Sequence, residues 1–220
     1  MKLVIAPGVV LWREYFLPTA QKALLEDVEV RLKAAPLYRP VMPKSGTPFS
    51  VEESNFGTLG WVSDKTGYRY QPLHPVTGER WPAIPEMLLD LWNDIAQAPP
   101  PDCCLLNLYR EGAKMGLHQD RDEKDVQAPV VGVSLGDDAL FRIGGTLKDG
   151  KSGKDGKSDK DGKWGRGGKT QSVKLASGDV ILFGGVARLA YHGIDRIVPG
   201  SSRLLTGGGR LSLTLRRVRP

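Results

Sequence analysis

The sequence lacks any apolar run of the roughly 18 residues needed to cross a bilayer, and its first residues lack the charged and apolar pattern of a secretory leader. It has only two cysteines, Cys103 and Cys104. Because adjacent cysteines do not readily bridge each other, we expect both to be reduced and buried in a strand, without a disulfide framework. These absences predict an intracellular, cytoplasmic protein with no membrane segment.

The positive charge is unevenly distributed. The chain carries a net charge of +6, and residues 148–169 hold eight basic and four acidic side chains, a difference of +4. Residues 149–170 form a low-complexity segment rich in Gly, Lys and Asp, so we expect a disordered loop that joins two strands. We expect the lysines of this loop to add affinity for phosphate groups. The rest, with 220 residues and 40% hydrophobic content overall, is consistent with one domain over residues 1–220.

Short alternating or apolar runs separated by glycine-rich turns predict a mainly β protein. A sandwich or open barrel is the architecture that such strands favour. Apolar residues at helical spacing predict two helices, over residues 19–33 and 85–97, that cover the outer face of a sheet, with Trp92 in the core. The predicted strands cover residues 104–109, 130–135, 140–143, 172–175, 180–183 and 211–216.

Two of the three histidines stand in a pattern typical of a metal site. His118 and Asp120 form a His-x-Asp pair, and His192 follows 72 residues after Asp120. Two imidazoles and one carboxylate are the ligands of the facial triad that holds non-haem Fe(II). The alternative is a surface histidine beside an acidic run, and His74, which has no such partner, is predicted to be a solvated loop residue.

The strand over residues 210–216 carries a polar stripe. Its period of two places Arg210, Ser212, Thr214 and Arg216 on one face and three leucines on the other. Buried arginines need anions, and a carboxylate paired in two-pronged fashion with a guanidinium is the usual partner. The sequence therefore predicts a metal and a dicarboxylic acid in one cavity.

Residues 40–84 are too irregular for a helix and too aromatic for a plain linker. They contain Trp61, Tyr68, Tyr70 and Trp81 among glycines and prolines. We expect a lid of short hairpins, with core packing as the alternative role for these aromatic side chains.

Several motifs along the chain form one combined pattern. They are Asn107-Leu108-Tyr109, residues 112–114, 117–123 and 131–135, Phe183-Gly184-Gly185, Tyr191-His192-Gly193-Ile194, residues 210–216, and upstream residues 59–70 and 81–85. Together these motifs resemble those of the AlkB family of Fe(II)/2-oxoglutarate dioxygenases, and the likeness extends from about residue 4 to residue 217. The resemblance implies a double-stranded β-helix, or jelly roll, with an N-terminal nucleotide-recognition lid over residues 40–84.

The resemblance also implies roles for single residues. His118, Asp120 and His192 would bind Fe(II), and O2 would be the oxidant. Arg210 would pair with the distal carboxylate of 2-oxoglutarate. The remaining implied ligands of 2-oxoglutarate are Arg216, near the iron, and Asn107 and Tyr109, which share a strand face.

For the lid, the resemblance implies that Trp61 stacks on a flipped-out base with His118 on its other side. Tyr68 and Tyr70 would hold the substrate strand, and Asp122 would face the exocyclic amino group of a cationic base. A solvated acidic loop is the alternative for Asp122, together with Glu123 and Asp125.

The implied reaction is oxidative demethylation of bases such as 1-methyladenine and 3-methylcytosine. The implied partner is alkylated DNA, preferably single-stranded, or RNA, and we expect a monomer without an obligate protein partner. Two alternatives stay open: a 2-oxoglutarate-dependent hydroxylase or demethylase of a substrate other than nucleic acid, and a nucleic-acid-binding module with a vestigial metal site.

Overall fold

A computed structural model describes residues 1–146 and 170–219. The predicted insert over residues 149–170 lies outside the described residues, except for Thr170. The described elements are β1 (Lys2–Ala6), β2 (Val9–Trp12), α1 (Pro18–Leu32), β3 (Glu52–Gly57), β4 (Gly60–Asp64), β5 (Gly67–Gln71), α2 (Glu86–Ile95), β6 (Cys103–Tyr109), β7 (Met115–His118), β8 (Val130–Gly136), β9 (Asp138–Ile143), β10 (Gln171–Leu175), β11 (Val180–Phe183), β12 (His192–Val198) and β13 (Arg210–Arg216).

Two antiparallel sheets form the body of the protein. The larger has seven strands in the order β1-β2-β11-β8-β13-β6-β3, and the smaller has four in the order β10-β9-β12-β7. Apolar side chains from both sheets, such as Leu11, Phe141, Ile143 and Ile181, pack in one buried cluster between them. This arrangement confirms the predicted jelly roll of two facing sheets.

The two helices cover the outer face of the seven-stranded sheet, as predicted. Leu24 and Val28 of α1 and Leu88 and Trp92 of α2 are buried in one cluster with outward-facing residues of β6, β8 and β13. Pro18 lies in the first turn of α1, where its missing N–H is not needed. Within the described ranges, neither helix combines the length and the apolar character that crossing a bilayer requires.

The segment over residues 40–84 divides between two structures. β4 and β5 form a separate two-stranded hairpin, whereas β3 pairs with β6 at the edge of the seven-stranded sheet. The hairpin therefore continues directly from an edge strand of the main sheet, and that strand determines where the hairpin lies.

The prediction for His74 was wrong. This side chain is only 1% exposed, its Nε2 lies 2.8 Å from the carbonyl oxygen of Pro36, and its Nδ1 accepts the backbone N–H groups of Val76 and Thr77. An isolated histidine in a turn can thus be a buried structural residue when both ring nitrogens find backbone partners. The predictions for Cys103 and Cys104 were right, since both are buried and free.

Candidate active site

His118, Asp120 and His192 come together at one end of the four-stranded sheet. His118 ends β7 and His192 begins β12, and the two residues are direct partners in the register of these strands. The Nε2 atoms of His118 and His192 lie 3.7 and 3.8 Å from the carboxylate oxygens of Asp120. One ligand atom from each residue falls within 4.8 Å of the others, a spacing that a single metal ion could bridge.

Backbone carbonyl groups orient both imidazoles. Nδ1 of His118 lies 2.9 Å from the carbonyl oxygen of Gly116, and Nδ1 of His192 lies 3.0 Å from that of Ala190. A neutral imidazole that donates from Nδ1 keeps a lone pair on Nε2, the atom that faces Asp120. Burial lowers the pKa of His192 to about 4, reinforced by the nearby His118, so the neutral form that a metal requires is favoured.

Two arginines hold the chain around Asp120. Nη2 of Arg216 lies 2.8 Å from Asp120 Oδ2, and Arg188 donates to the backbone oxygen of Asp120 at 2.7 Å. Burial opposes ionisation of Asp120, yet the positive charge of Arg216, with smaller contributions from His192, His118 and Arg188, brings its pKa down to about 2. The carboxylate is therefore ionised at neutral pH and suited to a cationic metal.

Glu123 joins these two arginines. Its carboxylate lies 3.2 Å from Arg188 Nη2 and 3.6 Å from Arg216 Nε, and its side chain is 1% exposed. The alternative of a solvated acidic loop is therefore wrong for Glu123. Sequence reasoning missed both Glu123 and Arg188 as parts of the site. The available signal was an arginine inside the apolar run over residues 186–190, where a charge needs a buried partner.

The inner face of the seven-stranded sheet carries the polar stripe of β13. Arg210 is 2% exposed, donates from Nη2 to Ser134 at 2.9 Å, and lies with its guanidinium 5.3 Å from the ring centroid of Tyr109. Its Nε and Nη1 atoms, and Oδ1 of Asn107, are buried without a hydrogen-bond partner among the described residues. A buried guanidinium with free N–H groups fits the carboxylate of a dicarboxylic acid.

A glycine positions Arg210 at the start of β13. Gly209 adopts a φ of 94°, and a side chain there would place its Cβ 2.6 Å from the backbone oxygen of Tyr109. The glycine-rich run before Arg210 thus lets β13 start close against β6.

One cavity of about 700 Å³ connects these groups. It is large enough for a small organic acid together with part of a larger ligand. Its lining combines the metal triad, the inner face of the large sheet and the hairpin: His118, Asp120, His192, Asn107, Tyr109, Arg210, Arg216, Trp61, Tyr68 and Asp122 among others.

The β4–β5 hairpin brings aromatic side chains to the mouth of this cavity. Trp61 and Tyr68 are stacked, with ring centroids 5.4 Å apart and planes inclined by 19°. The indole N–H of Trp61 donates to Asp122 Oδ2 at 2.9 Å. A hydrogen bond thus ties the hairpin to the loop that follows Asp120.

Tyr70 takes a different position from the other lid aromatics. It is not among the residues that line the cavity. Its hydroxyl donates to Glu123 and accepts from Arg216 Nη1 at 3.3 Å, and burial raises its pKa well above the ordinary value. In this arrangement Tyr70 lies outside the cavity and contacts Glu123 and Arg216, two residues next to the metal site.

Comparisons with known proteins agree with this geometry. Residues 8–216 match the family model of the 2OG-Fe(II) oxygenase superfamily. The chain is 49% identical to the alpha-ketoglutarate-dependent dioxygenase AlkB homolog of Caulobacter vibrioides, covering 99% of this chain and 90% of that protein. It is 37% identical to the alpha-ketoglutarate-dependent dioxygenase AlkB of Escherichia coli K12, covering 97% and 92%.

The fold comparison leads to the same family. The solved structure of OsALKBH1 superposes with a TM-score of 0.77 and 29% sequence identity, covering 99% of this chain and all of that chain. The structural superposition and the sequence identity over nearly the whole length therefore point to the same family. The chain belongs to the AlkB family within the 2OG-Fe(II) oxygenase superfamily, and it is an Fe(II)- and 2-oxoglutarate-dependent dioxygenase.

Proposed function

We propose that this dioxygenase removes alkyl groups from the bases of nucleic acid by oxidation. The observation that carries the proposal is the stacked pair of Trp61 and Tyr68 over the same cavity that contains the metal triad. Aromatic side chains suit nucleobases because every base offers a π face. The relatives support both DNA and RNA as substrates, since they include a DNA N(6)-methyladenine demethylase of Arabidopsis thaliana and a tRNA demethylase of Schizosaccharomyces pombe.

Fe(II) would be held by His118 Nε2, His192 Nε2 and the Asp120 carboxylate. This donor set fits a borderline metal that also needs open positions for other ligands. When bound, the iron supplies activation of O2 for oxidation of a C–H bond. The backbone acceptors of the two Nδ1 atoms and the ion pairs at Asp120 keep these ligands in place.

2-Oxoglutarate would lie along the inner face of β6 and β13. Arg210 would pair with its distal carboxylate, because the free Nε and Nη1 atoms need an anion. Asn107 and Tyr109 would hydrogen-bond the same molecule, and Arg216, which already contacts Asp120, would lie at its iron end. The protein contributes by binding these reactants side by side in a buried site.

The alkylated base would enter beneath the hairpin, between Trp61 and His118, with Tyr68 along the substrate strand and Asp122 toward the exocyclic amino group. The N-methyl group gains one oxygen atom from O2 while the other oxygen atom enters succinate as 2-oxoglutarate loses CO2. The resulting hydroxymethyl group leaves as formaldehyde, which restores the base. 1-Methyladenine and 3-methylcytosine are the substrates that we favour, because each carries a positive charge that suits Asp122.

Single-stranded DNA would be the preferred form, since a base must leave its stack to reach the metal and an unpaired base requires least energy to do so. RNA is a further substrate in this proposal. The proposal includes a monomer without an obligate protein partner. A nucleic-acid substrate and two free, buried cysteines support a cytoplasmic location.

The direct test is mass spectrometry of a single-stranded oligonucleotide with one 1-methyladenine, incubated aerobically with protein, Fe(II), ascorbate and 2-oxoglutarate. We expect loss of the methyl group with equal amounts of formaldehyde and succinate, and no loss with the His118→Ala variant. Succinate without demethylation would support a substrate other than nucleic acid. If neither product forms, the reading as a binding module with a vestigial metal site would gain support.

A further inference from the structure

A buried carboxyl group in the cavity has no part in the roles described so far. Glu53 is the second residue of β3, is 1% exposed and lines the cavity. Its Oε2 atom is buried without a hydrogen-bond partner among the described residues. Burial raises the pKa of Glu53 to about 8, although the positive charge of Arg216 partly opposes the shift. A buried polar group of this kind is destabilising unless a ligand completes it.

The register of β3 places Glu53 beneath the lid. Glu53 pairs with Asn107 across the strands, and Asn55, two residues further on, faces the same side. The side-chain amide of Asn55 donates to the backbone oxygen of Trp61 and accepts its N–H, both at 3.0 Å. Trp61 is therefore tied to the face of β3 that carries Glu53, about 7 Å away along the strand.

The chemistry of the two expected ligands decides which one suits Glu53. In the empty cavity the raised pKa of Glu53 favours its protonated form at neutral pH. 2-Oxoglutarate, a dianion without strong hydrogen-bond donors, would further oppose ionisation of Glu53. A base such as 1-methyladenine or 3-methylcytosine brings both N–H donors and a positive charge, which would favour the ionised carboxylate. Asp122 Oδ2 already accepts the indole N–H of Trp61, whereas no described residue donates to Glu53 Oε2.

We propose that Glu53 is a specificity-determining residue that accepts a hydrogen bond from the exocyclic amino group of the bound base, beside Asp122. An amino group has two N–H bonds, so it can donate one hydrogen bond to each carboxylate. This inference rests on the proposed function, because it requires an alkylated base in the cavity. It makes the protein selective for cationic bases with an amino group over neutral bases with a carbonyl group at the same position.

The test compares two single-stranded oligonucleotides that differ only in the alkylated base, 3-methylcytosine or 3-methylthymine. The second base is neutral and has a carbonyl oxygen where the first has the amino group. Demethylation by each protein is followed by mass spectrometry, and Kd is measured without O2 by fluorescence anisotropy. The proteins are the wild type, Glu53→Gln and the control Glu52→Gln, whose side chain is 36% exposed and lies 3.6 Å from Arg39.

We expect Glu53→Gln to lower the ratio of kcat/KM for 3-methylcytosine over 3-methylthymine about tenfold, with a matching change in the ratio of Kd values, because a charged hydrogen bond becomes a neutral one. Glu52→Gln should leave both ratios unchanged. Thermal unfolding of each variant verifies that it is folded, and Glu53→Met, of similar volume, serves as a second variant that should lower the ratio at least as much.

Two results would overturn the inference, and they have different consequences for the proposed function. If the wild type demethylates 3-methylcytosine but both Glu53 variants keep the wild-type ratio, Glu53 does not read the base, and the proposed function stands. If the wild type neither binds nor demethylates either oligonucleotide, the proposed function fails, and the role of Glu53 fails with it.

Discussion

The two faces of the seven-stranded sheet are built from the same strands but have different roles. On the outer face, Leu211, Leu213 and Leu215 of β13 are buried against the helices. On the inner face, Arg210 and Arg216 of the same strand are equally buried, yet both have guanidinium nitrogens without a hydrogen-bond partner among the described residues. One face is complete as folded, and the other is completed only by ligands.

The difference shows where the fold is stabilised and where function lies. Full burial of a leucine side chain contributes about 1.5–3 kcal/mol, so the outer face stabilises the sheet. Buried polar atoms without partners work against folding, by about 1–3 kcal/mol each. The protein keeps them because ligand binding supplies the missing partners. The following variants test this contrast.

Removal of a triad carboxylate should have the largest effect. For Asp120→Ala we expect turnover of 2-oxoglutarate to succinate to fall by about three orders of magnitude, because the metal provides several kcal/mol of transition-state stabilisation and each tenfold loss is about 1.4 kcal/mol. Iron content after dialysis and succinate formation are the measurements. Full iron occupancy with wild-type turnover would remove Asp120 from the ligand set.

Truncation on the outer face should affect stability and spare binding. Leu213 is fully buried among the helix-facing residues, so Leu213→Ala should lower the free energy of unfolding by about 2–5 kcal/mol. The KM for 2-oxoglutarate should stay within about twofold, since no ligand contacts this face. Denaturant unfolding and steady-state kinetics at a temperature where the variant is folded test both halves. A large rise in KM would show that the two faces are coupled.

A matched substitution on the inner face should weaken ligand binding and spare stability. Arg210→Met should weaken 2-oxoglutarate binding roughly 10- to 100-fold, because a charge-assisted pair with a carboxylate is lost. The free energy of unfolding should not fall, since the charge removed is buried and incompletely paired. Calorimetric titration with 2-oxoglutarate provides the measurement, and Arg196→Met, at an exposed position, is the control. Unchanged binding would place the dicarboxylic acid elsewhere.

The smallest expected effect is a pH-dependent gain in stability. Because burial raises the pKa of Glu53 to about 8, well above its value in an unfolded chain, the folded state favours the protonated form. The contribution of Glu53 to stability is therefore greatest below about pH 4 and declines as the pH rises through 8. Glu53→Gln should be more stable than the wild type by about 1 kcal/mol or more at pH 8, with a smaller difference at pH 5.

Thermal unfolding at both pH values, in the absence of ligands, measures this difference. Three other charged or titratable groups interact with Glu53: Arg216, Tyr38 and Tyr109. They are the same in both proteins, and burial raises the pKa of both tyrosines further above this range. A gain that is equal at both pH values would contradict the raised pKa of Glu53.

Much of the fold was predictable because its strands alternate clearly. The strands β6, β8, β11 and β13 were predicted within one residue at each end, and each reads as a regular apolar or alternating run. β12 was missed because a register irregularity between Ile194 and Arg196 interrupts its alternation, which leaves Asp195 and Arg196 exposed in succession. β7 was missed because four residues, one of them glycine, carry too short a pattern.

The residues of the site likewise divide into those that the sequence predicts and those that it does not. The motif around His118 and Asp120 and the polar stripe of β13 are visible in the sequence. Glu123 and Glu53 are not, because their importance comes from burial, and nothing in their local context predicts it. For Arg188 the one local signal is its place inside the apolar run over residues 186–190. His74 was misjudged for the same reason, since its partners are backbone groups that only the folded chain brings near.

The sequence is enough to indicate which side chains can come together, because a period of two puts Arg210 and Arg216 on one face of β13 and the spacing of ligand types indicates a metal. Which polar groups are left without partners follows only from the folded structure. Hydrogen-bond partners come from parts of the chain that are distant in sequence. Only the folded arrangement therefore distinguishes Glu123, paired with Arg188 and Arg216, from Glu53, which lines the cavity and whose buried Oε2 finds no partner in the part of the chain that the structure describes.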